Sequence, residues 1–75
     1  MSKELSKEME FFIYLIENYA YYKNKNAKEV MEELQKYNLV ERVFDGYEFY
    51  HIERLENAYE DIDNLIKQAK INEQK

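Results

Sequence analysis

The chain lacks cysteine, proline, tryptophan and threonine, and it has a single glycine among its 75 residues. Without cysteine there can be no disulfide framework, thiolate nucleophile or cysteine-ligated metal site, and we expect a reducing, cytoplasmic setting. One glycine cannot build a phosphate-cradling loop or a dinucleotide-binding fingerprint. The two serines, Ser2 and Ser6, lie near one end of the chain, so nucleophilic catalysis has almost no candidate residues. We therefore predict a protein that is not an enzyme and uses no cofactor.

The sequence also lacks an excess of positive charge and a long apolar run. Eleven Lys and Arg against 16 Asp and Glu give a net charge of −5, with a pI near 4.9. Direct binding of nucleic acid needs a basic patch, which such a composition does not favour. The longest apolar run, Phe11 to Ile16, is far shorter than a membrane span, and the first residues resemble no signal peptide. We expect neither nucleic-acid binding nor membrane insertion nor export.

The spacing of apolar residues predicts an all-α fold, a compact bundle of about four helices forming one domain over residues 1–75. The first helix has a broad apolar stripe made of Leu5, Met9, Phe12, Ile16 and Ala20, with Ile13 and Tyr19 at its edges. A stripe this broad suits a central helix or a homodimer contact. A second helix begins at Asn26, which forms a capping-box pattern with Glu29, and ends near Asn38. The last helix extends from about Arg54 to Ala69, and we expect residues 71–75 to be frayed.

Residues 40–52 fit two structures. Asp45-Gly46 between Val- and Tyr-rich flanks is a typical β-hairpin turn, which would give helices plus one hairpin. The apolar spacing in this segment, however, is helical, and a glycine within a helix costs only about 1 kcal/mol relative to alanine. The spacing favours a third helix, with the hairpin as the alternative.

Aromatic residues are the unusual feature of the composition. Eight Tyr and four Phe are more than a core of this size can hold, and a tyrosine keeps a polar hydroxyl that needs water or a partner. A helical wheel places Tyr14 and Tyr21 on the polar side of the first helix, with Phe11 and Tyr22 on its flank. Surface tyrosines often anchor protein interfaces. We predict that these four residues bind a partner, although amphipathic rings covering a small core would be an equally ordinary arrangement.

Acidic residues concentrate at the start of the last helix. Glu53, Glu56 and Glu60 recur at helical spacing and would lie on one face. A solvated surface is the ordinary explanation for such a cluster. We predict that the three carboxylates also steer a basic partner. An acidic mimic of nucleic acid is a variant of this hypothesis.

A metal-dependent or acid–base enzyme is the alternative hypothesis. Glu48-x-x-His51 has the spacing that is found in carboxylate-bridged di-metal bundles, but it occurs once. A symmetric dimer could supply two copies of this pair together with Glu17 from each chain. The simpler interpretation is a structural His51, hydrogen-bonded to a backbone carbonyl or to a carboxylate such as Glu17. We therefore predict no metal site.

Four segments together resemble a family of short bacterial proteins of unknown function. They are FFIYLIENY at residues 11–19, VMEELQKYNL at residues 30–39, YEFYH at residues 47–51 and EDID at residues 60–63. The family pattern has an Ile-Glu-x-Tyr element, a Leu-His-Thr element and an Asp-Ile pair. Here Ile16 to Tyr19 fits the first of these, whereas Tyr50-His51-Ile52 stands in place of Leu-His-Thr, and the glycine that tends to follow is absent.

The resemblance implies a compact helical protein. Members are often encoded near proteins that resemble ADP-ribosyltransferases, which implies an antitoxin-like or regulatory accessory role. Together with the composition, this leads us to predict a non-enzymatic interaction module that masks a basic protein partner.

Overall fold

The structure is a computed structural model that describes residues 6–73. It is all-α, and the described residues contain no β-strand. Five helices follow one another along the chain: α1 (Lys7–Tyr22), α2 (Ala27–Lys36), α3 (Val40–Phe44), α4 (Tyr47–Tyr50) and α5 (Leu55–Glu73). The all-α prediction is confirmed. The predicted stripe residue Leu5 lies outside the described residues.

Asp45-Gly46 divides the predicted third helix into α3 and α4, which makes five helices where about four were expected. The alternative hairpin is not supported, because a type I′ turn needs positive φ at both central residues, whereas φ is −69° at Asp45 and −79° at Gly46. Both residues continue helix-like hydrogen bonding. The Asp45 N–H donates to the Glu41 carbonyl at 2.8 Å, and the Tyr50 N–H donates to the Gly46 carbonyl at 2.9 Å. The two residues therefore link two short helices and do not reverse a strand.

Side-chain caps begin α1 and α2. The Ser6 hydroxyl accepts from the Met9 N–H at 3.0 Å, which starts α1. The predicted capping box is present at α2: the Glu29 N–H donates to the Asn26 side chain at 2.8 Å, and the Glu29 carboxylate accepts from the Asn26 N–H at 3.0 Å. Such caps satisfy donors that the first helical turn leaves unpaired.

Helix α5 continues four residues beyond the expected end at Ala69, as far as Glu73. Neither glycine nor proline interrupts it there. Of the segment 71–75 that we expected to fray, residues 71–73 are therefore helical, and residues 74 and 75 lie outside the described part of the chain.

All five helices contribute to one core. Its largest fully buried side chains come from α1, α2, α3 and α5, and they are Leu15, Val30, Leu34, Val43 and Ile62. Helix α1 provides the most buried residues, as its apolar stripe predicts, and it contacts α2, α3 and α4. Met9 of the predicted stripe and Ile13 at its edge are less buried than the rest, since they are 36% and 41% exposed. They lie beside an apolar groove that the bundle leaves uncovered.

Candidate interaction surface

An aromatic cluster joins the first half of α1 to α4. The Phe11 ring packs edge-on against Tyr47 at 5.6 Å and against His51 at 6.4 Å, and it lies 6.3 Å from the Tyr14 ring. The Tyr47 and His51 rings are stacked, with centroids 4.2 Å apart and an interplanar angle of 4°. Phe11 is half-buried, whereas Tyr14 is 52% exposed. Phe11 thus supports a set of rings that remains open to solvent.

A second cluster lies at the end of α1 against α5. Tyr22 stacks on Tyr59 with centroids 4.7 Å apart and an interplanar angle of 24°, and Tyr19 lies beneath at 5.8 Å from Tyr59. Burial raises the pKa of Tyr59 above its usual value, and the nearby Glu56 carboxylate, Tyr14 and Tyr22 raise it further. Tyr22 is thus the stacking partner of Tyr59, and Glu56 lies one helical turn before Tyr59 on α5. Both clusters include residues of α1, and we call the surface formed by Phe11, Tyr14, Tyr21, Tyr22, Tyr47 and Tyr59 the aromatic face.

Three tyrosines of the aromatic face are open to solvent. Tyr21 is 88% exposed and Tyr22 is 59% exposed, in addition to Tyr14. The eight tyrosines thus divide into three that are exposed, three that are half-buried and two that are buried, Tyr19 and Tyr50. As predicted, the core does not hold all the aromatic rings. Its use as a binding surface stays a prediction.

The three carboxylates predicted to steer a partner are all exposed. Glu56 and Glu60 lie in the first two turns of α5, and Glu53 lies two residues before the helix, where its carboxylate accepts from the Asn57 side-chain amide at 3.4 Å. Because Glu56 lies one helical turn before Tyr59 on α5, the acidic start of this helix adjoins the aromatic face. A partner that covers the tyrosines would meet these negative charges.

His51 has a structural hydrogen bond. Its Nδ1 lies 2.6 Å from the Tyr47 carbonyl oxygen, so that the backbone carbonyl, and not Glu17, is its partner. Glu17 instead lines the apolar groove beside Ile13 and Met31. Within residues 6–73, no group of three or more His, Asp or Glu side chains could hold a metal ion. Within one chain, Glu17 thus lies at the apolar groove, whereas His51 belongs to the aromatic cluster of α1 and α4.

Sequence reasoning missed several surface features. Phe49 and Ile52 are 69% and 72% exposed near the end of α4, although the sequence reading gave them no surface role. Tyr50 is buried instead, beside Gly46, which has no β-carbon to obstruct its ring. The apolar groove, of about 370 Å³, was also missed; it lies between α1, α2 and α3 and includes Met9, Ile13 and Met31. The apolar spacing from Val40 to His51 predicted one uninterrupted helix, so it could not indicate which side chains of α4 face solvent.

No helix within residues 6–73 has both the length and the apolar character that crossing a membrane requires. No curated protein and no solved structure shows significant similarity to the chain. One family matches residues 10–69, a range that extends from the first turn of α1 well into α5 and includes both aromatic clusters. The chain belongs to this family, whose description is "Protein of unknown function (DUF3791)".

Proposed function

We propose that this protein is a non-enzymatic interaction module that binds a protein partner through the aromatic face. The observation that carries the proposal is the exposure of Tyr14, Tyr21 and Tyr22 along one helix. Tyrosine contributes a large rigid contact area and a hydroxyl that can form a hydrogen bond, and it is enriched among residues that dominate binding energy. Phe11 packs beside Tyr14 and Tyr59 stacks on Tyr22, which reduces the side-chain freedom that these two tyrosines lose on binding.

The charge around the aromatic face selects a basic partner. Glu53, Glu56 and Glu60 are exposed beside the rings, and the whole chain carries a net charge of −5. Exposed carboxylates of this kind accelerate encounter with a positive surface more than they tighten the final complex. An antitoxin-like or regulatory role, in which the module covers a basic cleft of its partner in the cytoplasm, is consistent with this chemistry and with the family resemblance.

Affinity capture from the source organism tests the proposal. Tagged wild-type protein and the double variant Tyr14→Ala/Tyr21→Ala are used as baits, with Phe49→Ala as a matched control. Phe49 is an exposed aromatic residue that forms no ring pair with another aromatic side chain among residues 6–73. Because all three substituted side chains are largely exposed, the variants should remain folded, which circular dichroism checks.

We expect the wild type and Phe49→Ala to capture the same protein and the double variant to lose it. Binding should also weaken between about 50 mM and about 500 mM salt, since screening shortens the reach of the carboxylates. If the double variant captures the partner as well as the wild type does, the aromatic face is not the binding site. If Phe49→Ala loses the partner to the same extent, binding reflects general surface hydrophobicity.

We further propose a second contact, a homodimer through α1. The apolar groove supports it, because Met9 and Ile13 are both at least a third exposed there and Glu17 is the one charged residue that lines it. An uncovered apolar surface of this kind is typical of an association site.

A further inference from the structure

A cleft separate from the apolar groove carries a net positive charge, whereas the chain as a whole is negative. It has a volume of about 340 Å³ and lies between the end of α1, α2 and the C-terminal half of α5. Its charged lining consists of Lys23, Lys25, Lys67 and Lys70 together with Glu33 and Asp63. Four ammonium groups and two carboxylates give this cleft a net charge of +2, within a chain whose total charge is −5.

Asp63 is held on one side of the cleft by two donors. Its Oδ1 accepts a hydrogen bond from the Tyr19 hydroxyl and lies 3.2 Å from the Lys23 Nζ. Tyr19 is buried, so its hydroxyl fixes the carboxylate from the protein interior. Lys23 approaches from the solvent side, where it is about one-third exposed. The position of the Lys23 ammonium is therefore set by a carboxylate that is itself anchored to the core.

Glu33 holds two further lysines next to each other. Its two carboxylate oxygens are used separately, with Lys25 Nζ 3.4 Å from Oε1 and Lys70 Nζ 3.4 Å from Oε2. Glu33 is the least exposed of the three, at 20%, whereas the two lysines are 41% and 54% exposed. An ammonium has three donor hydrogens, so each lysine keeps donors for a second acceptor. Glu33 thus neutralises one positive charge and brings two ammonium groups together.

Lys67 completes the lining without a carboxylate of its own. Among residues 6–73, no carboxylate oxygen lies within 4.0 Å of its ammonium. It lies one turn before Lys70 on α5. The surplus positive charge of the cleft is therefore contributed by Lys67 and by the pair that shares Glu33.

We propose that this cleft binds a phosphoryl group. Such a group carries about 1.5 to 2 negative charges at pH 7 and three strong acceptor oxygens, which matches the net charge of the cleft and its unused ammonium donors. A concave surface lined with charge of one sign raises the local concentration of the opposite ion. The proposal is independent of the aromatic face and adds a ligand to a protein whose composition otherwise disfavours anions.

Lysines near helix C-termini also have a purely structural use, because they lie favourably against the negative end of the helix dipole. Lys23 caps α1, and Lys70 lies in the last turns of α5. This use predicts an effect on stability only. Lys67→Gln separates the two roles, because it removes no ion pair from the described residues and changes one charge in the cleft.

The test is a titration of the full chain with inorganic phosphate, followed by amide chemical shifts in ¹H–¹⁵N spectra at constant ionic strength. Glycerol phosphate forms a second arm, which distinguishes a phosphate ester from the free ion, and acetate is the control for any anion. We expect saturable shifts at the cleft residues with one or both phosphates and none with acetate. Equal responses to all three anions, or no saturable response, would overturn the proposal.

Variants locate the effect. Lys67→Gln should weaken phosphate binding about 10- to 100-fold, the loss typical of one charged hydrogen bond. Lys28→Gln removes the same charge from an exposed position of α2 that does not line the cleft, and it should change the affinity by less than about twofold. Unchanged binding by Lys67→Gln, or equal weakening by Lys28→Gln, would show that no specific site exists in the cleft.

Discussion

Gly46 occupies a position where the Tyr50 ring fills the space that a β-carbon would need. A β-carbon built there would contact the Tyr50 ring, including its Cζ at 2.8 Å and its Cδ2 at 2.9 Å. These distances are shorter than ordinary van der Waals contact. The backbone φ of −79° suits any residue, so the requirement for glycine here is steric and not conformational.

The variant Gly46→Ala therefore sets two effects against each other. Alanine raises the free energy of unfolding by up to about 1 kcal/mol because it restricts the unfolded chain. Displacing a buried ring typically lowers it by about 1 to 3 kcal/mol. We expect a net loss of stability in urea unfolding, with Asp45→Ala as the exposed neighbouring control. A Gly46→Ala protein as stable as the wild type would show that Tyr50 moves without cost.

The buried hydroxyl of Tyr19 makes the stability of the fold depend on pH. Burial raises the pKa of Tyr19 above its normal range, and the Asp63 carboxylate raises it further through a hydrogen bond and its charge. The folded chain thus keeps a proton that the unfolded chain loses above about pH 10, so that stability is complete below that pH and falls as the pH rises further. Tyr50 has a pKa raised in the same direction by burial and by Asp61.

The variant Tyr19→Phe should lower the free energy of unfolding at pH 7 by about 1 to 3 kcal/mol, because Asp63 loses a charged hydrogen bond. Its stability should then fall less steeply than that of the wild type between about pH 9 and pH 11. Urea unfolding followed by circular dichroism at each pH measures both effects. Parallel pH profiles for the two proteins would contradict the assignment to Tyr19.

At the scale of the elements, α1 and α2 end in the same way. Asn24 and Asn38 both have a φ of +59°, the left-handed conformation that asparagine tolerates better than most residues. After α1, the Lys25 N–H donates to the Ala20 carbonyl at 2.8 Å; after α2, the Leu39 N–H donates to the Leu34 carbonyl at 2.7 Å. Both are the long hydrogen bond of a Schellman motif. In the second, Leu39 and Leu34 are also buried together in the core.

The Schellman motif that ends α2 leads to a prediction for two variants of Asn38. Asn38→Ala should be about 1 kcal/mol less stable than the wild type, because a β-carbon without a local polar group is unfavourable at positive φ. Asn38→Gly should be at least as stable as Asn38→Ala, since glycine adopts this conformation freely. Thermal unfolding of both proteins provides the comparison. A glycine variant less stable than the alanine variant would mean that the asparagine side chain has another role.

Sequence reasoning succeeded where one local rule acts alone. The capping box at Asn26 and the stop at Asn38 depend on neighbouring residues, and both are present. At Asp45-Gly46 the apolar spacing correctly favoured helix over hairpin, but it missed the break that separates α3 from α4. The sequence also could not indicate which tyrosines are buried and which are exposed, since an amphipathic ring suits both core and surface. The lysine cleft joins residues from α1, α2 and α5 and needs the fold to be recognised.

At the scale of the whole molecule, the surface has three different regions: an aromatic face with acidic neighbours, a basic cleft and an apolar groove. The groove leads to a prediction about association. Ile13→Glu places a charge on the uncovered apolar surface and should shift sedimentation equilibrium from dimer towards monomer, while circular dichroism stays unchanged. The exposed Ile71→Glu, which does not line the groove, is the control. A wild type that is monomeric at all concentrations would contradict the homodimer.

The central claim is that the aromatic face and the acidic start of α5 bind a protein partner. Hydrogen–deuterium exchange of the chain with and without its captured partner tests it most directly, because it maps protection along the backbone. We predict new protection at the end of α1 and the first turns of α5, and little change in α2. Protection confined to α2, or none at all, would contradict the claim.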